Sequence, residues 1–415
     1  MVTNRPSYEQ FAALMAENVK EGGLSASLSY DSDSFALVEA GANAEPLQRM
    51  LLGHYFGEYC ALDTSEKPAF LARVKQLWNE QAFPANFADA QSNLMPHLID
   101  RWSVFRTNMN LALGMAKELE DAHVDVTPDF APFVVIADAF AMVLALDLKT
   151  TRLIVTHRQL AAWGIEFEKA IDTAYQNLVS RSGGEFEMLV DQDTGLSSLY
   201  SSTWHDGYDS SRVLIDDLLT QFNVRGEHVI GIPDNNQMLV TGSDDSRGLT
   251  ALYQMVSDAR ALPQALPPVL IHKSANGLTR YEAPLLDPLK PLLRNLETGY
   301  LSDIYASQKA LLLSSMDVAG LPILDFERRE NFDVEESFST WTTVPVVQHA
   351  LVPQTDFVSF VEEKDGTARV LAEASFARVQ EVLGENLIDV QQYPVRFLLR
   401  SYPTAEQLAQ LGKKD

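Results

Sequence analysis

From Trp204 to Asp217 the chain reads Trp-His-Asp-Gly-Tyr-Asp-Ser-Ser-Arg-Val-Leu-Ile-Asp-Asp, its densest grouping of loop acids around a histidine. Imidazole nitrogens and carboxylate oxygens can hold a divalent cation, and a cation-bound water is a nucleophile for hydrolysis. His205, Asp206 and Asp209 would carry such a metal-dependent hydrolase, with Asp216 and Asp217 downstream. A metal phosphohydrolase also needs histidines on helices before and after the doublet. His157 and His228 are available for that role only by assumption. The same residues also have a purely local explanation. Asp209 or Ser210 would cap the next helix, and Arg212 would pair with Asp216 one turn on.

Two further runs resemble functional turns. Gly183-Gly184-Glu185-Phe186 has the look of a cyclase hairpin but lacks the second acid that would hold metal. A Gly-Gly turn entering a strand accounts for it. Asp191-Gln192-Asp193-Thr194-Gly195 opens like a calcium loop, yet the closing glutamate would fall on Ser202. There is no Walker loop, dinucleotide fingerprint or nucleophile elbow. A single cysteine, Cys60, rules out thiolate zinc sites and a disulfide framework, and the eight histidines are scattered. No cofactor and no metal are expected. Trp163, Trp204, Tyr208 and Trp341 are bulky side chains beside turns, where packing is the ordinary role. Where exposed, they and Arg212 would be anchors for a protein partner.

Charge narrows the partners. A formal charge of −25 opposes binding through nucleic-acid phosphates, which requires clustered Lys and Arg. The acids are dispersed, as on a solvated surface, and the partner expected is another protein. No apolar run reaches the ~18 residues of a membrane span. The nearest, Phe133 to Leu148, is interrupted by Asp138 and Asp147. With no secretory pattern at the N-terminus, the reading is a cytoplasmic protein whose oligomeric state is open.

The elements that must position these residues follow from periodicity and turn signals. Helices are expected from Ser7, at Glu45–Ala61, Ser65–Trp78, Ser210–Phe222, Asp245–Ala261 and Pro288–Met316. A hairpin is expected around Asp31-Ser32-Asp33, and strands at Phe133–Ala137, Ala141–Asp147, His228–Ile232 and Gln237–Thr241. The C-terminal third returns to strands. A helix is expected at Met109–Leu119 and a linker at Asp121–Pro132. Two strands, a short turn and a helix recur near 27–61, 141–178, 228–260 and 357–383. That pattern predicts an α+β protein of mostly antiparallel sheets with helices packed on one face. Three domains are expected, over 1–120, 133–275 and 276–415.

Asp206-Gly207-Tyr208-Asp209-Ser210-Ser211-Arg212-Val213-Leu214, with Val229 to Pro233 and Met238-Leu239-Val240, resembles the central signature of the YtpQ-like bacterial family of unknown function. Leu153 to Leu178 and the Leu47 to Tyr59 segment are similar to its earlier blocks. The resemblance spans residues 1–275, and the remainder looks like an extension. Where the family pattern has an arginine-aspartate pair after Pro233, this chain has Asp234-Asn235-Asn236. The resemblance implies a soluble bacterial intracellular protein and names no reaction. The chain is thus expected to be a non-catalytic protein-binding module. The alternatives are the metal-dependent hydrolase and an oligomeric scaffold joined through exposed sheet edges.

Overall fold

Short apolar alternations separated by polar turns satisfy their backbone hydrogen bonds most directly by antiparallel pairing with a sequence neighbour. The chain does this repeatedly. The computed structural model describes residues 6–20, 27–32, 35–40, 46–79, 84, 86–109, 130–148, 151–184, 186–189, 199–274, 277–315, 321–331, 334–342, 349–364 and 367–412. The expected helix at 109–119 and linker at 121–132 fall largely outside these residues, as do the calcium-like turn at 191–195 and Glu185. Two compact units divide the chain, Met1–Tyr281 and Glu282–Asp415.

In the first unit the strands are β1 (Ser27–Asp31), β2 (Ala36–Ala40), β3 (Pro46–Leu51), β4 (Leu94–Asp100), β5 (Phe133–Ile136), β6 (Phe140–Leu148), β7 (Thr151–Ile154), β8 (Phe186–Leu189), β9 (Leu199–Ser202), β10 (His228–Asp234), β11 (Gln237–Gly242), β12 (Ile271–Ser274) and β13 (Gly277–Arg280). They make three sheets: β1-β2-β3; β4-β6-β5, with β7 also on β6; and β13-β12-β10-β11-β9-β8. The β4–β6 register runs from Leu94 opposite Leu146 to Asp100 opposite Phe140. That sheet therefore joins segments on either side of residues 120–133.

The first helix, Tyr8–Lys20, begins at the expected capping box, with Ser7 Oγ accepting from the Gln10 amide and Gln10 Oε1 from the Ser7 amide. It buries Phe11, Met15 and Val19 in a cluster with Phe56, Phe70 and Trp78 from the next two helices. The helix Phe167–Ser180 presents Ala170, Ala174 and Leu178, one per turn, and the two alanines let it lie close to β4. Asn177 Nδ2 donates to the Leu94 carbonyl at 2.8 Å. The helix Ser246–Ala259 is capped by Asp245 and covers β10 and β11 with Leu249, Leu252 and Val256. A larger core joins Met95, Leu98 and Met142 of one sheet to Ile230, Met238 and Val240 of the other. Tyr208, Val213, Leu219 and Phe222, between the two in sequence, share that core.

The second unit has strands β14 (Glu327–Asn331), β15 (Val334–Thr342), β16 (Ala350–Pro353), β17 (Phe357–Lys364), β18 (Thr367–Ser375), β19 (Leu387–Asp389) and β20 (Arg396–Leu399), in sheets β14-β15-β17-β18 and β16-β20-β19. Here β15 and β17 run parallel, unlike the other paired strands around them. The long helix Leu289–Ser315 lies along β15, where Asn295 Oδ1 accepts from the Glu335 amide at 2.7 Å. The last helix, Ala405–Leu411, carries the complete Thr404–Gln407 capping box.

The protein is α+β with mostly antiparallel sheets. Each of β6–β7, β10–β11 and β17–β18 is an antiparallel pair followed by a helix, as the recurrence at 141–178, 228–260 and 357–383 expected. At 27–61, by contrast, the hairpin β1–β2 is followed by a third strand, β3, before the helix Leu52–Ala61. Two expected helices are corrected. Residues 46–51 of the Glu45–Ala61 segment form β3, because β2 offers them a ladder from Ala36 opposite Leu51. Ser210–Phe222 is not one helix but a 3-10 turn, Ser210–Leu214, and a short helix, Asp216–Leu219, separated by extended Ile215. Among the described residues, no helix is long and apolar enough to cross a membrane.

Candidate functional site

The signature loop lies between the two larger sheets of the first unit, and its backbone geometry is unusual. His205 has φ 50° and Gly207 φ 81°. The left-handed φ favours glycine at residue 207, where a Cβ would also meet Arg152 Nη2 at 2.6 Å and displace that guanidinium. These left-handed residues turn the loop so that Tyr208, Asp209, Ser210, Ser211 and Arg212 all point inward and are buried.

Arg212, 0% exposed, is the centre of the arrangement. Its Nη1 and Nη2 donate to the two carboxylate oxygens of Asp206 at 2.8 and 2.7 Å. Nε donates to Ser182 Oγ at 2.8 Å, and Nη2 also reaches the Arg181 carbonyl oxygen. The face of Trp204 lies 4.1 Å from the guanidinium carbon. A planar fork meets a planar carboxylate, the geometry in which arginine binds most strongly. The pairing expected with Asp216 does not occur. That expectation assumed an α-helix, whereas the 3-10 turn and Ile215 break the one-turn spacing, and Asp216 instead pairs with Lys273.

The nearby acids differ in state. Burial opposes charge on Asp206, but the hydrogen bond and positive charge of Arg212 outweigh it and hold the carboxyl below the usual aspartate range. Asp209 is fully buried and accepts from the backbone amides of His205 and Asp206. Burial raises its carboxyl above the usual range despite those bonds and a hydrogen bond with Ser202. Asp234, at the β10–β11 turn, is also raised, by burial first and then by the charge of Asp209. His205 Nδ1 lies 2.8 Å from the Asn236 carbonyl oxygen, which can only accept, so the proton belongs on Nδ1. On the other side of the loop, Arg152 stacks 4.0 Å over the Tyr208 ring and donates to the Gly207 carbonyl.

The cluster also joins the sheets. Ser211 Oγ accepts from the Leu98 amide of β4 at 3.0 Å. Asn235 Nδ2 donates to the Leu98 carbonyl at 2.7 Å and to Ser210 Oγ at 2.9 Å. The Asp234-Asn235-Asn236 turn therefore supplies neutral amide donors and an acid whose pKa is raised by burial, with no positive charge.

His205, Asp206 and Asp209 thus come together, but each is engaged by the protein itself. Among the described residues no group of three or more His, Cys, Asp or Glu is placed to hold a metal ion. His157 is exposed at a helix start, and His228 contacts the Phe222 carbonyl. The aromatic candidates are mostly interior. Trp163 is buried in a cluster with Leu144, Leu146 and Leu153 of the sheet and Ala170 and Ala174 of the next helix, and its Nε1 donates to the Pro84 carbonyl at 2.8 Å. Trp341 is buried in the second unit against Tyr402 and Phe360. Tyr208 is buried, and half-buried Trp204 is spent on Arg212 and Phe186. Of the five candidate anchors, Trp163, Tyr208, Trp341 and Arg212 are buried, and Trp204 is the one partly open to solvent. The sequence reading missed Arg152, Ser182, Ser202 and Asn235. Only Asn235 had a visible signal, its place in a hairpin turn, and that signal spoke of conformation rather than contacts.

The acids provide a pH test. Asp209 and Asp234 have folded pKa values above the ~3.9 of an unfolded aspartate, so the native state holds extra protons above that point. Their effect is to lower stability as pH rises from ~3.9 through the raised values. Asp206 acts oppositely: its contribution is present above ~3.9 and is lost as pH falls through its lowered value. Asp234→Asn keeps an oxygen to accept from the Asn236 amide, now at 2.7 Å, and cannot ionise. Urea midpoints from about pH 4 to about pH 7 should decline less with rising pH in this variant than in the native protein. Equal slopes would mean that Asp234 does not titrate in that window.

No family model matches the chain, and neither curated proteins nor solved structures yield a match.

Proposed function

We propose that the protein is a cytoplasmic, non-catalytic module of the YtpQ-like kind that works by binding another protein. The observation that carries this reading is the closure of the polar cluster. Both Asp206 oxygens face the Arg212 guanidinium, Asp209 is turned to backbone amides, and His205 is tied to Asn236. A catalytic constellation needs groups free to meet a reacting atom, and here they are used to fix a loop between sheets. The charge of −25 supports a protein partner with a basic surface over a nucleic acid.

Affinity purification of the tagged protein from cells that make it, with mass spectrometry of what co-elutes, tests the reading. A stoichiometric protein partner that survives moderate salt is expected. Recovery of the chain alone, at low and moderate salt, would count against it.

A further inference from the structure

Arg152 stands on β7, directly across the ladder from Asp147 of β6. Its side chain reaches the signature loop and is tied there through one nitrogen. Nη1 donates to the Gly207 carbonyl at 3.2 Å and lies 3.4 and 3.3 Å from the two His97 ring nitrogens. The guanidinium carbon sits 4.0 Å over the Tyr208 ring. An aromatic face holds a guanidinium flat without using its N–H groups.

The other edge of the guanidinium has no protein partner. Nε–H and Nη2–H point the same way and form a pair that can meet both oxygens of a carboxylate. Nε of Arg152 is buried without a hydrogen bond, and none of the described residues bonds Nη2. The two nearest acids are already engaged by other arginines. Asp147 Oδ2 lies 3.1 Å from Arg181 Nη1, and Asp206 meets Arg212 with both oxygens. Arg212 makes the contrast, since its Nε, Nη1 and Nη2 all donate within the protein.

A second donor beside this edge is also unmet. Tyr208 is 1% exposed, and its hydroxyl is buried with no hydrogen-bond partner. Arg152 and Asp147 are the charges that reach the phenol, and neither is in bonding geometry with it. Buried donors are satisfied in the large majority of cases, so two in one stacked pair of side chains call for an acceptor. Asp147 and Arg181 are partly exposed, which places this group near the surface.

We infer that the Nε–Nη2 edge of Arg152 and the Tyr208 hydroxyl bind the carboxylate of a small molecule. The planar fork fits two coplanar oxygens, and the phenol supplies a third donor. A monoanion matches the single guanidinium left without an acid, whereas a phosphate dianion would be repelled more strongly by Asp147 and Asp206. The site is distinct from the Asp206–Arg212 pair and stands whether or not the protein-binding reading does.

Acetate is the probe. Thermal midpoints of the full chain at about pH 7, with acetate replacing chloride at constant ionic strength, should rise and saturate. Tyr208→Phe removes one hydroxyl and no protein hydrogen bond. In chloride its midpoint should equal or exceed the native one, while acetate binding weakens about tenfold. Arg152→Lys loses the fork and should weaken acetate further. Phosphate at the same ionic strength should stabilise less than acetate. A native midpoint that does not move with acetate overturns the proposal, and so does an equal acetate response in Tyr208→Phe. A lower midpoint for Tyr208→Phe in chloride would mean that the hydroxyl bonds Asp147 in solution, which also overturns it. A stronger response to phosphate than to acetate overturns the assignment to carboxylates.

Discussion

Arg212→Lys should destabilise the first unit by about 2–3 kcal/mol, the cost of leaving buried acceptors without their donors. Lysine keeps the charge but loses the fork. Its ammonium cannot meet both Asp206 oxygens and also donate to Ser182 Oγ and the Arg181 carbonyl, as the guanidinium does. The flat face over Trp204 is lost as well. Asp206 is 37% exposed and can recover some hydration, but the Arg212 site is wholly buried and water cannot replace the missing donors without opening the core. Urea unfolding followed by tryptophan fluorescence would measure the change. A loss below about 1 kcal/mol would mean that the cluster is far looser than its hydrogen bonds imply.

Gly242→Ala should be comparably damaging for a different reason. The added methyl would overlap the Arg225 carbonyl oxygen and lie 2.6 Å from its amide nitrogen. Both are backbone atoms, so no rotamer change relieves the clash. The backbone cannot easily move aside either. The Ser243 amide donates to the Glu227 carbonyl at 2.8 Å, the Asp244 amide to the Arg225 carbonyl at 3.1 Å, and Gly242 is in register with His228. Overpacking against fixed backbone costs about 3 kcal/mol or more. Gly57→Ala is the natural control, because that site lies in the helix Leu52–Ala61 with nothing within 4 Å of the new carbon. It should gain about 0.5–1 kcal/mol from helix propensity. Similar thermal midpoints for the two variants would contradict both assignments.

What could be read from the sequence was local. The β10–β11 hairpin was visible because apolar runs flank a polar turn, and the capping boxes at Ser7 and Thr404 because their partners sit three residues away. The fold class followed from counting such units. The strand β4 escaped because Leu94-Met95-Pro96-His97-Leu98 is buried on both faces, which erases the two-residue alternation that marks a half-exposed strand. The segment Pro46–Leu51 reads as a helix by composition and becomes a strand only because β2 is there to pair with it. The site was half legible. His205, Asp206 and Asp209 were found by type and do converge, but their roles depend on partners distant in sequence. Ser182 is thirty residues from Arg212, and Asn235 finds its acceptor on Leu98. Spacing rules cannot anticipate such contacts.

The stitches between Leu98 and the loop at 210–235 have a consequence for how the chain is born. The Leu98 carbonyl waits for an Asn235 donor 137 residues later, and the Leu98 amide waits for Ser211 across 113 residues. At roughly 5–20 residues per second of synthesis, that delay is on the order of ten seconds or more. During it the ribosome has delivered Leu94–Asp100 and the all-apolar β5, while the residues that complete their core are still untranslated. Synthesis order therefore leaves a hydrophobic half-sheet without its other half, and gives holdase chaperones their longest opportunity on this part of the chain.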